Sequence, residues 1–223
     1  MAGCDSGMSC KSWAFTTRTA QDSAATVSAI HRGDLTPEFY ALNRTIHCVR
    51  TITVRPALPH DAAAVAGIYA PYVEQTTISF EDTAPGVDDI AARIDKSRSR
   101  WQWLVAELDD AIVGYAYGSE HRTRAAYRWS VEVSAYVHRD HHRKGIGRTL
   151  YDALFVDLAD KGFCNAFAGI TLPNEPSVRL HSAMGFEPIG TFRSVGWKFG
   201  RWHDVAWFQR PLREGPPTIV PSR

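Results

Sequence analysis

The chain has 223 residues, of which 44% are hydrophobic and 22% charged, enough apolar material for one sizeable core. Its formal net charge of +1 gives no general attraction for nucleic acid, and no run approaches the roughly 18 consecutive apolar residues of a membrane span. The four cysteines, Cys4, Cys10, Cys48 and Cys164, make no C-x-x-C pair and no metal-like cluster, so we expect a soluble protein of a reducing cytoplasm with no metal.

Residues 1–50 are rich in Ser, Thr, Ala and Gly without a sustained apolar period, and read as a poorly ordered extension with at most a helical turn over residues 26–30. A transit peptide is weakened by Asp5, Asp22, Asp34 and Glu38. Order is expected from residue 51, where Thr51, Ile52, Thr53, Val54 and Arg55 alternate as a short strand closed by Pro56. Asp61 then caps a helix whose apolar positions are Val65, Ile68, Tyr69 and Tyr72. After a loop at residues 77–80 and a Pro85-Gly86 break, a second helix over residues 87–99 turns Ile90, Ala91 and Ile94 inward. Residues 103–106 and 112–117 form a hairpin around Asp109 and Asp110.

The next stretch, residues 131–154, reads strand, turn, helix. Val131, Val133, Ala135 and Val137 alternate with Glu132, Ser134 and Tyr136, and helical spacing takes over at Ile146, Leu150, Leu154 and Phe155. Between them lies a basic turn with glycines at Gly145 and Gly147. A helix starting there has N–H groups without intrahelical partners and a partial positive charge, to which Arg143, Lys144 and Arg148 add formal charge. Spacing alone leaves an anion site and an ordinary solvated turn equally open. The helix stops at Lys161-Gly162, a strand follows over residues 166–172, and a short helix over residues 177–184 ends at Gly185. Two last strands, residues 186–192 and 203–210, are joined by a connection over residues 194–202, and residues 213–223 form a mobile, Pro-rich tail.

The sequence His142-Arg143-Lys144-Gly145-Ile146-Gly147 resembles the acetyl-coenzyme A signature of the GNAT superfamily of N-acetyltransferases, in which the first position is usually Arg or Gln. The run from Asn174 to Phe186 is similar to a second signature of that superfamily, N-x-x-S-x-x-x-(Y/H)-x-x-x-G-(F/Y), here filled by Asn174, Ser177, His181, Gly185 and Phe186. Without the motif, Asn174 reads as a helix cap and His181 as a partly buried, hydrogen-bonded side chain.

The resemblance covers residues 51–212 and implies one domain of the GNAT fold, an α/β (α+β) arrangement with a mixed, mostly antiparallel sheet, splayed central strands and flanking helices. It implies acetyl-CoA as co-substrate, held by main-chain groups near Ala135, Tyr136 and Val137, where the family has a bulge, by residues 143–148 (Arg143, Lys144, Gly145, Ile146, Gly147, Arg148), and by Asn174 and Ser177. It also implies direct attack of an amine on the thioester. Glu132 would take the ammonium proton and His181 would protonate the departing thiolate.

Three loops add a narrower resemblance, to phosphinothricin N-acetyltransferases: residues 122–132, residues 197–205 and residues 77–80. It implies substrate contacts from Phe80, Arg122, Arg124 and Tyr127, a small amino acid analogue of the phosphinothricin or methionine sulfoximine type as acceptor, and a homodimer. Two other readings stand beside it: an acetyltransferase of protein N-termini or lysines, and a non-catalytic acyl-CoA-binding module. The presence of both Glu132 and His181 favours an enzyme over the last. For Trp197, Trp202 and Trp207 packing and dimer contact are the expectation.

Overall fold

In the computed structural model the described residues are 51–218 and 220–221. The expected extension over residues 1–50, its helical turn, and Cys4, Cys10 and Cys48 lie outside them. Among the described residues seven strands and four α-helices follow in order: β1 (Thr53–Pro56), α1 (Ala62–Gln75), α2 (Val87–Ser97), β2 (Trp103–Leu108), β3 (Ala111–Glu120), β4 (Ser130–Val137), α3 (Ile146–Asp160), β5 (Asn165–Thr171), α4 (Glu175–Ala183), β6 (Glu187–Lys198) and β7 (Arg201–Pro211). The strands form one sheet in the order β1-β2-β3-β4-β5-β7-β6. Every neighbouring pair is antiparallel except β4 and β5, which the α3 crossover makes parallel. None of the described helices is long and apolar enough to cross a membrane.

Strand alternation separates two cores. Leu104, Ala106, Val131 and Val133 face α3, whose Leu150, Leu154 and Leu158 are fully buried. Each such leucine contributes about 2 kcal/mol of burial. Trp103, Val105 and Tyr115 face the other way, against Val65, Ile68 and Val73 of α1 and Ile90 and Ile94 of α2. Small residues of β3 let α3 approach. A Cβ on Gly114 would stand 3.0 Å from Ile146 and 3.1 Å from the Tyr136 carbonyl, so this position takes no larger residue without movement.

The central parallel pair is short. Its register runs only from Ser130 opposite Asn165 to Glu132 opposite Phe167, after which β4 and β5 part. This is the splay expected for the fold, and it opens the sheet beside residues 133–137. The expected bulge in the central strand is absent: β3 and β4 keep one register from Gly114 opposite Val137 to Glu120 opposite Val131, and the shift falls between β2 and β3, beside Val113.

Two other expectations change. Asp61 makes no side-chain cap to α1. Its carboxylate instead accepts from Arg55 at 2.7 and 2.9 Å and from the Leu58 N–H at 2.8 Å, and the Arg55 guanidinium holds it below the usual carboxylate range. A fork of charged donors outcompetes one helix amide. The expected connection over residues 194–202 is strand almost throughout, because β6 and β7 meet at a two-residue turn, Phe199 and Gly200, both at positive φ (51° and 73°). Ser194 and Gly196 look like loop residues in sequence, yet they lie at an irregularity within β6. Asp204 Oδ1 accepts the Ser194 N–H there at 2.7 Å.

Candidate active site

The opening between β4 and β5 is lined by Val133, Ala135, Gly169, Thr171, Asn174 and His181, with Ile78 and Tyr151 also facing it. Which main-chain groups point into the gap follows from one bond. The His138 N–H donates to Val113 O on the β3 side at 2.8 Å, so by alternation the N–H groups of Val133, Ala135 and Val137 turn toward the gap and that of Tyr136 toward β3. Ala135 and Val137 thus supply free donors where expected. Tyr136 does not: its ring packs 4.9 Å from Tyr69 and 5.2 Å from Tyr72, under α1.

At the end of β4 the chain enters the glycine turn. Gly145 stands at φ 82° and Arg143 at φ 60°, left-handed conformations that turn the chain into α3, whose first N–H groups have no partner within the helix. Arg143, Lys144 and Arg148 are exposed around them. A Cβ on Gly147 would stand 3.1 Å from Leu180 of α4, so Gly147 keeps the two helix ends close. His142, in the unusual first slot of the motif, turns back: its Nε2 lies 3.0 Å from the Val137 carbonyl and 2.9 Å from the Tyr72 hydroxyl, and Tyr72 donates to the same carbonyl at 2.6 Å. It secures the strand end instead of reaching outward.

Asn174 and Ser177 begin α4, where Asn174 Oδ1 accepts the Ser177 N–H at 3.3 Å, the capping role its position suggested. One turn on, His181 is buried, with Nδ1 2.8 Å from the Ser177 carbonyl and Nε2 3.0 Å from the Tyr151 hydroxyl. A carbonyl only accepts, so Nδ1 carries the hydrogen and Nε2 takes the tyrosine's. Burial pushes the His181 pKa down, which leaves the ring neutral with its one N–H already given to the helix. Motif spacing identified His181; it gave no sign of Tyr151, whose position on the inner face of α3 reads as core.

The acceptor side is assembled from separate segments. Glu132 projects from β4 and its Oε1 lies 3.0 Å from His121 Nδ1 and 3.2 Å from an Arg122 guanidinium nitrogen. Arg122 also lies 5.8 Å over the Trp207 ring, and Tyr127 stands 5.8 Å edge-on to the His121 ring. The fold therefore joins Glu132, Arg122 and Tyr127 around His121, a residue the sequence reading passed over. Arg124 lines an adjoining hollow of about 140 Å³ with Arg100, Glu120, Arg122 and Arg128, so Arg122 borders both it and Glu132.

Phe80 does not face the cleft between β4 and β5, where Ile78 stands in its loop. Its ring lies on Gly196, where an added Cβ would come within 2.2 Å of it, and 6.3 Å from the His203 ring. The loop is pinned there by Lys198, a buried ammonium donating to the carbonyls of Val73, Ser79 and Glu81 at 2.6, 2.7 and 2.9 Å. Burial pushes its pKa below the ordinary lysine value. A hollow of about 260 Å³ under α2, lined by Trp101, Trp103, Tyr117 and Arg93, holds none of the residues the motifs single out. Among the described residues no group of three or more His, Cys, Asp and Glu is arranged to hold a metal ion.

Residues 54–207 match the family model described as an acetyltransferase (GNAT) domain. The chain is 40% identical over 172 residues to the phosphinothricin N-acetyltransferase of Streptomyces viridochromogenes, covering 77% of this chain and 94% of that one. It is 34% identical over 164 residues to the L-methionine sulfoximine/L-methionine sulfone acetyltransferase of Salmonella typhimurium, covering 73% and 96%. Among solved structures, a GNAT superfamily phosphinothricin acetyltransferase from Sinorhizobium meliloti, in complex with acetyl-CoA, superposes with a TM-score of 0.72 at 36% identity, over 75% of this chain and 94% of that one.

Proposed function

Because the chain belongs to the GNAT acetyltransferase family, we propose that it transfers the acetyl group of acetyl-CoA to the amino group of a small amino acid analogue of the phosphinothricin or methionine sulfoximine type. The single observation that carries the chemistry is the placement of Glu132, a carboxylate on β4 within two residues of the opening where the strand's N–H groups are free.

The residues present fit the acetyl-CoA half of the reaction. The first amides of α3, which lack partners within the helix, with Arg143, Lys144 and Arg148 about them, suit a pyrophosphate. The N–H groups of Ala135 and Val137 suit a thioester carbonyl, on whose oxygen negative charge builds during attack. Asn174 and Ser177 flank the same opening. Glu132 takes a proton from the acceptor ammonium, freeing the nitrogen lone pair. His181, neutral and with both ring nitrogens engaged, holds the start of α4 against Tyr151, and water returns the proton to the departing thiolate. Arg122 and Tyr127 offer donors to the acceptor's polar end, and Arg124 stands further out on the same loop. Phe80 acts through the loop it anchors.

A cytoplasmic homodimer completes the reading. Ile189, Phe192, Val195 and Trp197 on the edge strand β6, with Phe199 and Trp202 of its turn and β7, are each at least half exposed, a patch that a second copy would cover. The free, buried Cys164 suits a reducing compartment.

Thiol release from acetyl-CoA, measured with phosphinothricin, methionine sulfoximine, methionine, leucine and a peptide N-terminus, tests the substrate. The two analogues should react fastest, since an amino acid without the second polar group leaves donors unpaired at about 1 to 3 kcal/mol each. Faster reaction of the peptide overturns the substrate class, and no release with any amine despite acetyl-CoA binding overturns the enzyme. Glu132→Gln should lower kcat by roughly 10²- to 10⁴-fold with acetyl-CoA affinity retained, the defect shrinking at high pH, where free amine is abundant.

A further inference from the structure

The base has a companion that neither motif contains. The His121 ring is stacked on Phe167 (centroids 4.2 Å apart, planes 9° apart), with Tyr127 edge-on at 5.8 Å and Trp207 edge-on at 6.3 Å. Its side chain is 11% exposed, against 29% for Glu132. Phe167 is also the register partner of Glu132 across the short parallel pair, so the stack fixes the imidazole beside the carboxylate. An ionised carboxylate only accepts, so the 3.0 Å contact is Nδ1–H donating to Oε1. Arg122 donates to the same oxygen at 3.2 Å, and its guanidinium is in turn held by the His121 carbonyl at 2.7 Å. Oε2 accepts from no described residue.

We propose that His121 is a positioning residue for proton abstraction. By holding Oε1 it fixes the rotamer of Glu132 and presents Oε2 as the proton acceptor. The step balances simply: an N–H bond of the acceptor ammonium breaks, an Oε2–H bond forms, the electron pair stays on nitrogen, and Glu132 becomes neutral while His121 keeps its hydrogen bond to Oε1. The proton then passes to water. A phenyl ring at this place would supply the stack without the donor; an imidazole supplies both. This rests on the acetyltransferase reading above.

The test is a cycle of variants assayed for kcat and both KM values, with folding checked by circular dichroism. His121→Phe keeps an aromatic ring on Phe167 but loses the donor, and kcat should fall about 10- to 100-fold, in line with a lost hydrogen bond to a charged group, while KM for acetyl-CoA stays within about twofold. His121→Asn, whose amide nitrogen stands near the place of Nδ1, should recover most of the loss. In the Glu132→Gln background His121→Phe should cost less than about twofold, since the residue acts only through the carboxylate. The proposal is overturned by an unchanged kcat in His121→Phe, by an equal loss in the Glu132→Gln background, or by His121→Asn doing no better than His121→Phe while both are folded. A wild-type protein that prefers another amine overturns the substrate reading alone, and the cycle is then read with that amine. With no amine turned over, both readings fall.

Discussion

The two halves of the cleft are built in different ways. The side assigned to acetyl-CoA is almost one continuous stretch, β4 through the glycine turn into α3, and its chief donors are main-chain N–H groups. The side assigned to the acceptor is gathered from the loop after α1, the residues between β3 and β4, and the β6–β7 hairpin, and it works through side chains. A site of backbone amides tolerates substitution of the side chains around it. His142 illustrates this, standing where the signature usually has Arg or Gln and turning inward without disturbing the turn. A site of side chains from distant segments depends on whatever holds those segments in place.

The sharpest way to break the first half is to keep its fold and spoil its amides. Gly147→Glu puts a carboxylate at the start of α3, where it favours the helix through the macrodipole but repels a pyrophosphate and crowds Leu180. Acetyl-CoA affinity by calorimetry should fall more than about 100-fold while melting is nearly unchanged. Retained affinity would move the cofactor elsewhere.

Breaking the second half takes a residue remote from the chemistry. Lys198→Met leaves the carbonyls of Val73, Ser79 and Glu81 without their donor, about 1 to 3 kcal/mol for each that water does not reach. We expect a Tm lower by several degrees, as the handful of kcal/mol implies for a domain of this size, and a KM for the amine raised about tenfold with that for acetyl-CoA nearly constant. Equal changes in both KM values would show that the loop serves the two halves alike.

The smallest effect sharpens the boundary between the halves. His181 has a folded-state pKa below the ordinary imidazole value, so between the two values the unfolded chain binds more protons than the folded one, and stability rises with pH. Its contribution is complete above about pH 6.5 and declines as pH falls toward the folded value. His181→Gln, which retains a donor and an acceptor, should flatten that slope in a Tm series from pH 5 to 7 and reduce kcat less than about tenfold. A folded variant without activity would make His181 the acid for the thiolate.

Much of this was legible in order along the chain. The period-two run of β4, the glycines, and the helical spacing from Ile146 are local features, because a strand, a turn and a helix each report their preferences within a few residues. The Asn174 to Phe186 motif located α4 for the same reason. Asp61 does not cap α1 because a cap is a local option, inferior to the ion pair with Arg55, which β1 pairing with β2 sets beside Glu107. The pairing of residues 194–202 at the end of the β6–β7 hairpin is not a local signal: Gly196 is small there because the Phe80 ring, from a distant loop, lies on it.

By itself, then, the sequence determined the order of elements, the strand-turn-helix that presents free amides, and the presence of Glu132 and His181 on faces that can meet. Only the tertiary structure decided what those residues touch: that His121 and Arg122 share one oxygen of Glu132, that His181 is closed by Tyr151, and that Lys198 ties one carbonyl of α1 and two of the loop after it, more than a hundred residues earlier. The reason is physical. Backbone preferences are short-range and written in neighbouring residues, while a hydrogen bond between side chains depends on where the whole sheet brings two distant segments.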